Sequence, residues 1–272
     1  MSEFELMERE GASLHYFAQG PEWDGVPSVA LGTLRCSTPE AGAALLREAV
    51  ERASGAPVLA PMEGDTWHAY RTVVESDGSP PFLLEPQSGE HDRAALEAAG
   101  FEQVAHYVST TMPLDAPQAE PRPVEGITLA HWDGQDARPL LERVFEMAGA
   151  SFADKQFYKP ITRDEFLGMY LPLLPMLDPR LVFLAREGEH IAGFLLGYRD
   201  PADPSRAVLK TYAADRRGVG HLLADGFHKA ARELGCTHAI HALMHADNVS
   251  LTRSSQHGAE VFRRYALYGY RS

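Results

Sequence analysis

VLKTYAADRRGVGHLLADGFHKAARELG, residues 208–235, followed by HAIHALMHADN, residues 238–248, decides how this chain is read. The stretch runs as an apolar strand, a short turn carrying Gly218 and Gly220, a long helix, a second strand and then Asn248. The first four N–H groups of a helix have no intrahelical partner, and the macrodipole adds positive potential at that end. A phosphate-bearing cofactor is therefore expected on this turn.

Reading outward from it, residues 181–186 and 190–199 flank Glu187-Gly188-Glu189, the pattern of an antiparallel hairpin. Residues 127–131 read as a strand, and residues 137–147 and 163–174 as amphipathic helices, the second opened by a capping box of Thr162 and Glu165. Between the helices lies an aromatic-rich loop with Phe152, Phe157 and Tyr158, expected either to line an acceptor site or to staple the helix pair. Residues 260–268 make a final strand. Upstream, residues 27–35 read as a strand, and residues 39–54 as a helix capped by Ser37 or Thr38 with Pro39 at its first position and Gly55 at its end. Residues 57–62 and 66–74 read as strands, residues 92–99 as a helix stopped by Gly100, and residues 101–111 as a strand. Trp67 and Tyr70 are expected in the core of this half. MPLDAPQAEPRPVEG, residues 112–126, holds four prolines and reads as a semi-rigid linker. The expected division is a domain at 1–112, a Pro-rich linker at 113–126 and a domain at 127–272.

The two halves echo each other. Gly100, Glu102, Val104 and Tyr107 match Gly258, Glu260, Phe262 and Tyr265 at a constant separation of 158 (258 minus 100). Thr33 aligns with Thr211, Leu45-Leu46 with Leu222-Leu223, and Met62 with Met244, at drifting offsets. Duplication of half a domain is the expectation, with a chance match of short identities as the alternative.

Composition narrows the function classes. A net charge of -13 opposes general nucleic-acid binding, which depends on Lys and Arg neutralising phosphates. No run is apolar and uncharged for the roughly 18 residues a bilayer span needs, and the acidic start MSEFELMEREGAS lacks the basic region and apolar core of a signal peptide. A cytoplasmic location without membrane contact is the expectation. Cys36 and Cys236 make neither a disulfide framework nor a C-x-x-C pair, and are expected to be buried thiols. On a strand, His241 and His245 would stand about 13 Å apart, too far to share one ion; no metal site is expected from His238, His241 and His245.

From about Ile127 to Arg271, the order β-α-α-β-β-β-turn-α-β-α-β resembles the GNAT superfamily of acyl-CoA-dependent N-acetyltransferases. The resemblance rests on Asp215-Arg216-Arg217-Gly218-Val219-Gly220, standing where that family has Gln/Arg-x-x-Gly-x-Gly/Ala, and on Asn248. It implies an α/β fold with a GNAT-like mixed, mostly antiparallel sheet and flanking helices, preceded by a smaller partial α/β domain that completes the sheet, forms an interface or walls the acceptor pocket. It implies acetyl-CoA as co-substrate, with Tyr212, Ala213 and Ala214 pairing with pantetheine. Arg216, Arg217, Gly218, Val219, Gly220 and His221 would hold the pyrophosphate, and Asn248 would face the pantetheine arm. Two departures stand out: Asp215 replaces the usual Gln or Arg, and Ser254 stands where the family often has a Tyr that protonates the leaving thiolate. In the first half, Ser37 to Gly42 stands in place of the Gly turn, and Glu40 opposes phosphate approach.

The resulting expectation is an N-acetyltransferase acting on a primary amine, of a small molecule or a peptide, by direct attack. His241 is the candidate general base and Tyr212 an aromatic contact or acid. A homodimer is compatible with the sequence. The rival expectations are a non-catalytic acyl-CoA-binding or sensor module, and a different nucleotide-binding protein with a similar turn.

Overall fold

The computed structural model describes residues 3–116, 120–246 and 258–271. They form two compact units: residues up to Val108, with Asp154–Lys159 and the chain from Arg263, and Ser109–Ala153 with Pro160–Phe262. The chain thus leaves the first unit midway along a strand and returns to it near the C-terminus.

In the first unit, β1 (Glu5–Arg9) and β2 (Ala12–Phe17) make a hairpin turned at Gly11, whose φ is 76°. Reading the acidic N-terminal segment only for targeting signals misses this hairpin. Two short strands, β3 (Glu22–Trp23) and β4 (Val26–Pro27), pair with each other. Next come β5 (Val29–Cys36), α1 (Pro39–Arg52), β6 (Val58–Ala60), β7 (Thr72–Ser76), α2 (Asp92–Ala98) and β8 (Glu102–Pro113). β5 pairs antiparallel with β2 and parallel with β6. Leu14, Leu31, Leu45, Leu46, Val58 and Leu96 are buried between sheet and helices. The strand expected over residues 66–74 is confined to its end, β7, because Asp65 Oδ1 accepts from the amides of Trp67 and His68 at 2.8 and 3.1 Å and folds those residues into a turn. Trp67 and Tyr70 are half-buried there, not core residues.

The second unit contains the end of β8, then β9 (Thr128–His131), α3 (Ala137–Phe152), α4 (Arg163–Tyr170), β10 (Val182–Glu187), β11 (His190–Arg199), β12 (Arg206–Ala214), α5 (Val219–Glu233) and β13 (His238–His245). The Thr162–Glu165 capping box is present in full. The helix expected over residues 163–174 changes to 3-10 geometry at Leu171, since Pro172 and Pro175 lack the N–H that an α-helix uses. The sheet runs β8, β13, β12, β11, β10, β9, with β12 and β13 its parallel pair. Within the Pro-rich stretch, Leu114 is buried and Val124 packs against the second unit's core. The fold is mixed α/β with a mostly antiparallel sheet and few helices, as the sequence predicts.

β14 (Glu260–Tyr270) returns the chain to the first unit, where it pairs antiparallel with β6 and β7. A buried ionic cluster holds it. Glu85 accepts from Arg263 Nη1 at 2.5 Å and from the Tyr265 hydroxyl, and Arg263 Nη2 donates to the Ser79 carbonyl at 2.5 Å. The two charged side chains are only 4% and 1% exposed, so removing one strands the other away from water. Glu85→Ala should destabilise the first unit by about 3–5 kcal/mol, read as a lowered first transition in calorimetry. The volume-matched double change Glu85→Leu with Arg263→Met should recover most of the loss.

Candidate functional site

The site begins where two strands part. β12 and β13 pair from Arg206↔His238 to Leu209↔His241, and there their ladder ends. β12 continues to Ala214 and β13 to His245. At the same level the pairing of β12 with β11 slips: Leu196 faces Thr211 while Gly197 faces Leu209, leaving Lys210 as a bulged residue. A bulge bends its strand and re-aims the backbone. Tyr212, Ala213 and Ala214 follow on the diverging strand.

The Gly turn lies at the end of that strand. Gly218 is the N-cap of α5 with φ 93°, a left-handed conformation that glycine adopts without Cβ strain, and no side chain caps the helix. Val219 is buried, and the His221 amide donates back to the Gly218 carbonyl at 3.0 Å. Two of the turn's charged residues are engaged. Arg216 Nη1 donates to Glu187 Oε1 at 2.6 Å, and Asp215 Oδ2 lies 2.6 Å from His190 Nε2. Arg217 is exposed. Sequence reasoning singled out the turn but not Glu187 and His190, which lie more than twenty residues upstream and reach it only because the β10–β11 hairpin folds beside it.

His241, on the last rung of the ladder, is buried beneath α5. Its Nε2 lies 2.9 Å from His228 Nε2, and the rings stack with centroids 5.1 Å apart. Tyr212 is half-buried and packs against the same core as α5. His238 is exposed, with Nδ1 3.0 Å from the Thr237 hydroxyl. Asn248 and Ser254 lie outside the described residues. Among the described residues no group of three His, Cys, Asp or Glu is placed to hold a metal ion, and no helix is long and apolar enough to cross a membrane. Cys236 is buried and Cys36 half-buried; burial pushes both thiols up, away from the reactive thiolate.

The first unit repeats the strand pattern with a different filling. The β5–β6 ladder covers Val29↔Val58 and Ala30↔Leu59, after which β5 runs on to Cys36. Here the chain occupies its own opening. The Met62 amide donates to the Leu31 carbonyl at 2.7 Å, and the Glu63 carboxylate reaches the Thr33 hydroxyl and, at 3.1 Å, His15 Nδ1. A Cβ on Gly32 would lie 2.3 Å from Glu63 Oε1. The helix start is closed as well, because the Thr38 side chain accepts from the Ala41 amide and Pro39 has no N–H to offer.

Neither any family model nor any curated protein matches the sequence. Solved structures do. A GCN5-related N-acetyltransferase from Sphaerobacter thermophilus superposes with a TM-score of 0.59 at 16% identity, over 96% of this chain and 76% of that one. A tandem GNAT protein from the clavulanic acid biosynthesis pathway, solved without AcCoA, gives 0.56 at 15%, over 96% and 79%. A GCN5-related N-acetyltransferase from Anabaena variabilis gives 0.55 at 11%, over 98% and 62%. At these identities the likeness is one of fold.

The seating of α5 on the sheet fixes where the Gly turn lies. A Cβ on Gly193 of β11 would come within 2.8 Å of Val219 Cγ1 and 3.0 Å of Leu223 Cδ1. Gly193→Val should therefore lift the first turn of α5 and cost about 1–3 kcal/mol, measured by urea unfolding.

Proposed function

We propose that this chain, whose fold is that of the GCN5-related N-acetyltransferases, is an acyltransferase that moves an acetyl group from acetyl-CoA to a primary amine, with the cofactor held in the second unit. The fork at Leu209↔His241 carries this reading, because it leaves diverging strand backbone beside an uncapped helix start. Extended backbone at Tyr212, Ala213 and Ala214 suits the pantetheine amides. The turn from Arg216 to His221, with its helix dipole, suits the pyrophosphate, and Asn248 is assigned to the pantetheine arm.

The reaction would be direct. The amine nitrogen attacks the thioester carbonyl, a C–N bond forms, the C–S bond breaks, and the thiolate leaves with a proton. Backbone donors re-aimed by the Lys210 bulge would polarise the carbonyl oxygen. An amine entering as an ammonium must first lose a proton. His241 is proposed as its acceptor because it occupies the last rung of the ladder, and the contact with His228 supplies a partner for the proton. Tyr212 is the second proton-handling candidate.

The first half is proposed to be a partial copy that binds no cofactor of its own. Glu63 fills its fork with a carboxylate, and Thr38, Pro39 and Glu40 oppose an anion at its helix start. The location proposed is cytoplasmic. The rival reading, a non-catalytic acyl-CoA sensor, draws on Asp215 and on the engagement of Arg216 by Glu187.

Calorimetry should find one acetyl-CoA site per chain. Replacing Gly218 and Gly220 with Val should weaken binding at least about tenfold, since Val strains the positive φ of Gly218 and adds bulk over the helix start at both positions, while circular dichroism stays native. Retained affinity would place the cofactor elsewhere. With thiol release measured over a panel of amines, His241→Gln should lower kcat by about 10²–10⁴ with acetyl-CoA affinity unchanged. Binding without turnover on any amine would favour the sensor.

A further inference from the structure

We infer that Ser109 is a positioning residue of the fork: its buried hydroxyl holds a left-handed kink at Leu243 that carries β13 away from β12 on the side where an amine would enter. The inference rests on the acetyl-transfer reading above and adds to it a residue from β8.

Both strands of the fork lose their regular course just past the last rung. β12 does so at the Lys210 bulge, one residue beyond Leu209. β13 does so at Leu243, two residues beyond His241, where φ is 59°. That value lies in the left-handed region, which brings the Cβ of an L-residue close to the following carbonyl oxygen and is uncommon outside glycine and asparagine. Leucine has neither glycine's freedom nor asparagine's local hydrogen bonds, so the conformation persists only where its surroundings hold it. A left-handed residue within a strand also bends and twists it. From Leu243 onwards, β13 therefore does not continue straight beside β12.

Ser109 supplies the hold. β8 lies beside β13 on the side away from β12, and Ser109, in the part of β8 that belongs to the second unit, is fully buried. The Leu243 amide donates to its hydroxyl oxygen at 3.1 Å. A strand amide ordinarily takes a backbone carbonyl from its neighbour; at the kink a side chain provides the acceptor. An N–H deprived of its acceptor away from water is costly, so the hydroxyl ties down the residue whose conformation is least favourable. The adjoining Thr110 makes the contrast. It is as buried as Ser109, yet its Oγ1 has no hydrogen-bond partner.

The two sides of the fork are thus fixed separately. The cofactor is assigned to β12 and the start of α5, which Ser109 does not touch. His241, the proposed base, lies before the kink and is held by its ladder with Leu209. What depends on Ser109 is the course of β13 beyond it, the amine's wall of the opening. Loss of the hydroxyl should therefore act on amine binding, and much less on the cofactor or the chemical step.

The test is thiol release by the full chain with phenethylamine, spermidine and glucosamine as acceptors, using the one turned over fastest, together with calorimetry of acetyl-CoA and hydrogen exchange at the Leu243 amide. Ser109→Ala should raise the amine KM about three- to tenfold, change kcat and acetyl-CoA affinity by less than about twofold, and speed exchange at the Leu243 amide about tenfold. Leu243→Gly takes a positive φ without strain and should make the hydroxyl dispensable, so that adding Ser109→Ala in that background changes KM by less than about twofold. Thr110→Val, in the same strand, should match wild type in all these readings. An amine KM unmoved by Ser109→Ala, or raised equally with and without Leu243→Gly, overturns the inference while the transfer reading stands. If wild type transfers acetyl to none of the three amines, the transfer reading fails and this inference falls with it.

Discussion

A parallel strand pair cannot be closed by a tight turn; it needs a crossover, and a helix is the compact one. Each unit of this chain is built around one such pair, β5–β6 with α1 crossing over and β12–β13 with α5. In both, the ladder ends early and the strand feeding the helix runs on. The crossover helix then starts beside a parted pair of strands, with the positive end of its dipole at the opening. In the second unit, the fork, the turn and the assignment of a cofactor all follow from where that ladder stops. Close seating of α5 over Gly193 and Gly197 keeps the helix start at that level: Cβ atoms there would meet Val219 and Phe227 at 2.8 and 2.3 Å.

The same scaffold has opposite chemistry in the two units. At α1 the side chain of Thr38 satisfies an amide, Pro39 deletes another, and Glu40 places a negative charge in the first turn. Glu63 adds a carboxylate inside the fork itself. At α5 no side chain caps the helix, and Gly218 holds a left-handed turn that keeps bulk away. The proposed asymmetry, an anion at the second start and none at the first, reduces to four side chains. The strands next to β6 and β13 are also exchanged along the chain: β14, from the end of the sequence, lies beside β6, and β8, from the first half, lies beside β13. Glu85 and Arg263 tie β14 into the first unit, since an unpaired charge in so buried a place is costly.

Local rules made much of this legible. The Gly turn, the Thr162 capping box, the Glu187-Gly188-Glu189 hairpin and the Thr38 cap are all short-range signals, and each is present. What the sequence hid was partly local and partly long-range. The prolines at 172 and 175 could be read as tolerated within a helix until the backbone showed 3-10 geometry. Residues 66–74 have strand composition, yet Asp65 captures the amides of Trp67 and His68 and turns most of them away from the sheet. The Pro-rich stretch has linker composition, yet Leu114 and Val124 pack into a core. In the site, the backbone elements were predictable from spacing, whereas Glu187, His190 and His228 carry no local signal of their roles. Each acts across a contact that only the folded sheet creates.

That division also bears on how the turn would receive a phosphate. Arg216 and Glu187 are 38% and 47% exposed, and exposed ion pairs have little net worth because solvent screens them and ordering two long side chains costs entropy. Exchange of a carboxylate for a phosphate at Arg216 is therefore a small step, and a bidentate guanidinium–phosphate contact is stronger than the pair it replaces. The Arg263–Glu85 pair, by contrast, is 4% and 1% exposed and is held away from solvent. The exposed pair lies beside the Gly turn and the buried one where β14 is held, and solvent exposure separates the two.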